Sequence, residues 1–126
     1  MPSAGSASAL PLADRVEAAL ADAGAVRRIA MFGGQCFMVR DKLTIGVFGA
    51  RQGAGLLVRV DPDRGHELLD RPGVSISEMG AGRRMGPGWL RVKAFAVADE
   101  AELAFWIAEA LAFNADTTRR GHPQRP

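Results

Sequence analysis

Residues 35–48 read Gln35-Cys36-Phe37-Met38-Val39-Arg40-Asp41-Lys42-Leu43-Thr44-Ile45-Gly46-Val47-Phe48. From Lys42 onward the side chains alternate. Leu43, Ile45 and Val47 fall on one side, and Thr44, Gly46 and Phe48 on the other. A period of two belongs to a β-strand with two unlike faces. Gln35–Arg40 is a second strand candidate, and Asp41-Lys42 supplies a tight turn between the two. Connections this short favour antiparallel neighbours.

Working outward, Leu56–Val60 is a third strand, with Leu56, Val58 and Val60 on one side and Leu57 and Arg59 on the other. The glycine-rich stretch Gly49–Gly55 connects it to the second. Ile29-Ala30-Met31-Phe32 is a candidate short extra strand, broken off by Gly33-Gly34. Toward the N-terminus, Leu12, Val16, Leu20 and Ala23 recur at helical spacing over Pro11–Ala23, and Gly24 is a stop signal. After the third strand, Asp61 is a good N-cap and Pro62 suits the first helical position, so a helix carrying Leu68 and Leu69 starts there and ends at Pro72-Gly73. Val74–Met79 and Trp89–Ala94 are two further strands, separated by the loop Gly80–Gly88. The last helix opens near Asp99, carries Leu103, Trp106, Ile107, Ala110 and Leu111 as an apolar stripe, and is expected to run to about Ala115. The resulting order is helix, three strands (four with the short one), helix, two strands, helix. That order gives an α+β fold of two layers around one mainly antiparallel sheet.

The 126 residues suffice for one domain and are too few for two ordinary ones. Residues 11–116 are the expected folded unit, with a disordered N-terminus over 1–10 and a disordered basic tail over 117–126. The net charge is +2. Arg119, Arg120 and Arg125 lie in that tail, and without them 13 basic residues face 14 acidic ones. The folded part is near neutral, which argues against a domain built to present a basic face to nucleic acid. The single cysteine, Cys36, excludes an internal disulfide. No stretch has the length of apolar residues a membrane helix needs, and the N-terminus lacks the pattern of a signal peptide. The expected location is the cytoplasm, with no membrane association.

The motifs that could carry chemistry are few. A metal site needs several His, Cys, Asp or Glu at compatible spacing, and His66, His122 and Cys36 do not supply it. No Ser-His-Asp pattern or nucleophile elbow is present. No cofactor or catalytic residue is therefore expected, and the chain reads as a non-enzyme. Gly49–Gly55 superficially has the glycine content of a phosphate loop, but it lacks the Lys-Ser/Thr ending and precedes a strand. Gly33-Gly34 reads either as a sharp turn or as a place where a small ligand meets backbone N–H groups. Cys36 reads either as a small apolar core residue or as a redox handle. Trp89, Arg91 and Lys93 alternate with Leu90 and Val92. If the latter face the core, the former face outward, joined by Arg59, as a possible partner or nucleic-acid surface. Arg27, Arg28, Arg83 and Arg84 are further candidates for nucleic-acid contact. Phe105, Ala108 and Ala112 lie off the main helix stripe and could touch a second subunit.

Taken together, Met31-Phe32-Gly33-Gly34, Cys36-Phe37-Met38, Lys42 and Gly46 resemble the opening signature of the TfoX/Sxy family's N-terminal domain. Leu57–Val60 with Asp61-Pro62-Asp63-Arg64, and Leu68-Leu69 through Arg71-Pro72-Gly73, are similar to its middle. Glu78-Met79-Gly80, Met85, Gly88-Trp89 and the helix bearing Trp106 and Ala110-Leu111 are similar to its end. The resemblance covers roughly Asp14–Ala115. It implies a secretion-chaperone-like α+β fold, and a regulatory or protein-interaction role linked to competence and transcription. The implied partner is a transcription factor, the cyclic-AMP receptor protein. Longer members continue into a helical C-terminal domain that is not part of this sequence. Nucleic-acid binding and homodimer formation stay open alongside the protein partner.

Overall fold

A computed structural model describes residues 10–23, 26–31, 34–49, 54–78, 86 and 88–120. Helix α1 spans Leu10–Ala19. Strands β1 (Val26–Met31), β2 (Gly34–Val39), β3 (Lys42–Phe48) and β4 (Gly55–Arg59) follow. Helix α2 (Pro62–Leu68), strands β5 (Val74–Ile76) and β6 (Trp89–Lys93), a 3₁₀ turn (Ala94–Val97) and helix α3 (Glu100–Arg120) complete the chain. The six strands form one sheet in the order β1-β2-β3-β4-β6-β5, with every pairing antiparallel. The α+β expectation therefore holds. The short extra strand is real and longer than Ile29–Phe32 suggested, because Val26–Met31 pairs along its length with β2.

Alternation decides which side chains meet the helices. Phe37, Ile45, Val58 and Leu90 lie on one register line, and each is fully buried. Val47, Leu56 and Val92 form the next such line. Against them pack Ala13, Val16 and Leu20 from the α1 region, Leu68 from α2, and Leu103, Trp106, Ile107 and Ala110 from α3. All these residues belong to one core, so the three helices share one face of the sheet. Fully burying a large side chain such as Phe37 or Trp106 contributes about 1.5–3 kcal/mol each relative to exposure.

Local chemistry fixes the ends of the elements. Asp61 Oδ2 accepts from the N–H groups of Asp63 and Arg64 at 3.0 and 3.2 Å, so the expected N-cap of α2 is formed. The β2–β3 turn falls one residue earlier than Asp41-Lys42. Arg40 and Asp41 carry the positive φ values, 52° and 66°, and Lys42 already belongs to β3. Two consecutive left-handed residues are what a two-residue hairpin needs to match strand twist. A register shift between Phe37 and Met38 lets Phe37 pair with Ile45 while Met38 pairs with Leu43, leaving Thr44 as the extra residue.

The end of the last helix needs correcting. Helix α3 does not stop near Ala115 but continues to Arg120, so Thr117–Arg120 are helical. Thr117 Oγ1 donates to the Phe113 carbonyl oxygen at 2.7 Å, within that last stretch. Propagation adds one backbone bond per residue and needs no apolar stripe. Residues 1–9 and 121–126, which hold most of both expected disordered ends, lie outside the described residues.

Candidate functional site

The sheet face opposite the helices is the part of the fold that the core does not use. One register line crosses all six strands on it: Ile29, Cys36, Gly46, Leu57, Arg91, Ser75. Cys36 is 2% exposed and Leu57 8%, yet neither belongs to the core cluster formed with the helices. Gly46 sits between them. A Cβ there would lie 3.6 Å from Cys36 Sγ and 3.4 Å from Leu57 Cβ, so the glycine lets these two neighbours close over the strand. Ile29, Met38 and Phe48 are partly buried around this row. Among the described residues, no helix covers this face.

The sequence placed Trp89, Arg91, Lys93 and Arg59 on an outward face, and the structure locates each of them. Leu90 and Val92 are fully buried toward the helices, so the alternation was read in the right sense. Lys93 is exposed. Arg91 lies along the sheet with its Cζ 4.1 Å from the centroid of the Phe48 ring. Burial pushes its guanidinium below the ordinary arginine value. Arg59 pairs with Trp89 in register, and its Cζ sits 4.8 Å from the Trp89 ring and 5.4 Å from Phe113 on α3. Cation–π contacts of this kind hold a guanidinium in place while leaving its charge intact. Arg59 and Trp89 therefore act as one unit at the end of the sheet that α3 overhangs. Arg83 and Arg84 lie outside the described residues.

Four further arginines among the described residues are tied to acidic neighbours. Arg28 points to the helix side, where its Nη1 donates to Asp14 and Glu17 of α1 and its Nε to Gln35 Oε1 at 3.0 Å. Arg27 faces Asp41 at 3.5 Å. Arg64 donates to both carboxylate oxygens of Glu109 and to Glu67. Arg71 bonds Glu102 at 3.1 Å and stacks 4.0 Å from the Phe105 ring centroid. The last contact accounts for Phe105 within its own chain, while Ala108 and Ala112 are exposed.

Of the signature residues, Met31 ends β1 directly opposite Gly34 at the start of β2. Phe32 and Gly33 lie outside the described residues. Gly34 is buried, and a Cβ on it would run into the Val47 carbonyl oxygen. This close approach of two strands explains the glycine without a ligand. Burial pushes the Cys36 thiol up, away from the thiolate a nucleophile needs. Neither Gly34 nor Cys36 lines the surface concavities beside Asn114, Ser75, Glu109 or Phe95. Among the described residues, no group of three or more His, Cys, Asp or Glu is placed to hold a metal ion. No described helix is long and apolar enough to cross a membrane.

Sequence reasoning missed several participants. Phe48 shares a strand side with Gly46 in the sequence, but nothing in its spacing announces Arg91 above it, because that contact crosses from β3 to β6 over β4. Phe95, 64% exposed on the 3₁₀ turn, lies just beyond the expected strand Trp89–Ala94, and nothing in the sequence singles it out. The family model described as the TfoX N-terminal domain matches residues 18–114, from within α1 to the last turns of α3. No curated protein matches the chain.

Proposed function

Because the chain belongs to the TfoX N-terminal domain family, we propose that it works as a non-enzymatic regulatory module that acts by docking a protein partner. The observation that carries this reading is the helix-free sheet face. It presents partly buried Ile29, Met38 and Phe48 around the Cys36–Gly46–Leu57 row, with Arg91 and Lys93 beside them. An apolar centre with cations at its margin is the composition of a protein-binding patch. The partner class suggested by the family resemblance is a transcription factor, the cyclic-AMP receptor protein being the first to test.

The disposition of the cations favours a protein over a nucleic acid. Arg27, Arg28, Arg64 and Arg71 each face a carboxylate of the same chain, and Arg59 is held between two aromatic rings. Phosphate contacts would have to compete with those partners.

Binding of the purified full chain to the cyclic-AMP receptor protein, by titration calorimetry, tests the proposal. Met38→Glu puts a charge on the helix-free face and is expected to weaken binding while the circular dichroism spectrum stays native. Binding that is unchanged by Met38→Glu would remove this face from the function. Absence of binding to that protein, and to any other protein captured at physiological salt, would remove the reading itself.

A further inference from the structure

The sheet ends on one side in β5, three residues long, and on the other in β1, six residues long. β1 is paired with β2 along Val26–Met31, and no described element pairs with its outer edge. A regular edge strand of this length is an open template for another strand, and proteins usually guard it with proline, a bulge or outward charge. β1 has no proline, and its register with β2 is unbroken. Its two charges are drawn aside. Arg28 is held by Asp14, Glu17 and Gln35 on the helix side, and Arg27 faces Asp41.

We propose that β1 pairs with β1 of a second copy of this chain, antiparallel about a two-fold axis through Ile29, joining two sheets into one of twelve strands. The register follows from parity and charge. In a continuous sheet, facing residues must point to the same side, so the axis has to pass through a residue rather than between two. Only axes at Arg28 and Ile29 allow five facing positions within Val26–Met31. An axis at Arg28 sets two guanidinium groups directly opposite each other, which like-charge repulsion disfavours. An axis at Ile29 sets Ile29 against Ile29, Arg28 against Ala30 and Arg27 against the Met31 position, with no like pair. It also extends the row Leu57–Gly46–Cys36–Ile29 across the axis without interruption. A two-fold pairing of identical strands closes on itself and leaves only the two short β5 edges. This surface is separate from the helix-free face, and the dimer does not depend on the docking role proposed above.

The test is sedimentation velocity of the full chain over a wide concentration range. It is run with Ala30→Lys and Ala30→Glu, both at an exposed position. Ala30→Lys places a cation opposite Arg28 twice per dimer and is expected to weaken dimerisation at least about tenfold. Ala30→Glu places an anion there and is expected to tighten it, a reversal with charge that a general loss of folding would not give. In the wild-type chain, amide hydrogens of Val26–Met31 are expected to gain protection as concentration rises. A chain that stays monomeric at high concentration overturns the proposal, as does a dimer indifferent to both substitutions. A monomer that still binds its protein partner would overturn the dimer and leave the docking role standing.

Discussion

Asn114 donates from Nδ2 to the Val39 carbonyl oxygen at 2.9 Å, fastening the last helix to the second strand. The same nitrogen reaches Thr44 Oγ1 at 3.2 Å, and Arg40 Nη1 donates to Asn114 Oδ1 at 2.7 Å. Thr44 is the extra residue of the β3 irregularity, and Arg40 is in the hairpin turn. One buried amide therefore satisfies polar groups created by both departures from regular sheet geometry. Asn114→Leu is expected to cost about 1–3 kcal/mol, because the Val39 carbonyl oxygen loses this donor inside the fold while Thr44 keeps its bond to the Lys42 carbonyl oxygen. Urea denaturation followed by circular dichroism measures the loss, and a stability equal to wild type would contradict it.

The turn at Arg40-Asp41 predicts a change of opposite sign. Asp41 has φ 66° and its side chain is exposed, facing Arg27 at 3.5 Å. Exposed ion pairs contribute little, while a left-handed position favours glycine. Asp41→Gly is expected to raise stability by several tenths to about 1 kcal/mol, seen as a higher urea midpoint with an unchanged slope. A fall in the midpoint would mean that the Arg27 contact outweighs the backbone term.

These residues also mark how far sequence reasoning reached. Leu90 and Val92, Leu56 and Val58, and the Asp61-Pro62 cap were legible because each rests on a short-range rule: period two, or a side chain capping its own helix. The hairpin was legible but its turn was not, since Asp41-Lys42 looks as turn-like as Arg40-Asp41 and only the register separates them. Asn114 was invisible for a related reason. It falls in the stripe of Leu103, Ile107 and Ala110, where a polar residue looks like a helix end until Val39, 75 positions away, is seen beneath it. The candidate face was half legible: its outward residues were named, but the rings that hold Arg59 and Arg91 come from other elements.

The two strand glycines of the helix-free side should respond differently to alanine. At Gly34 a Cβ would collide with the Val47 carbonyl oxygen, a backbone atom fixed in the ladder. At Gly46 the nearest atoms, Leu57 Cβ and Cys36 Sγ, lie at 3.4 and 3.6 Å, ordinary contact distances for a methyl group. Gly34→Ala is expected to destabilise by about 1–3 kcal/mol through displaced backbone, and Gly46→Ala by much less. Thermal unfolding of the two variants side by side checks the order, and equal losses would show that Gly34 is not held by β3.

Cys36 supplies a prediction in pH. Its thiol is buried beside Gly46, and burial raises its pKa above the ordinary thiol value. The folded state therefore holds the proton more tightly than the unfolded chain does. The stability this contributes is fully present below the unfolded thiol's pKa, about 8.5. It is lost as pH climbs from there through the raised folded value, because the unfolded chain can ionise where the folded one resists. Wild-type stability is expected to fall over that alkaline window more steeply than that of Cys36→Ala, in which the titrating group is absent. A thiol reagent should likewise react with native protein only as fast as the sheet opens, and at the full rate in denaturant. Rapid labelling of the native chain, or parallel pH profiles for wild type and Cys36→Ala, would show that Cys36 is reachable from the helix-free face and would reopen the redox reading of this residue.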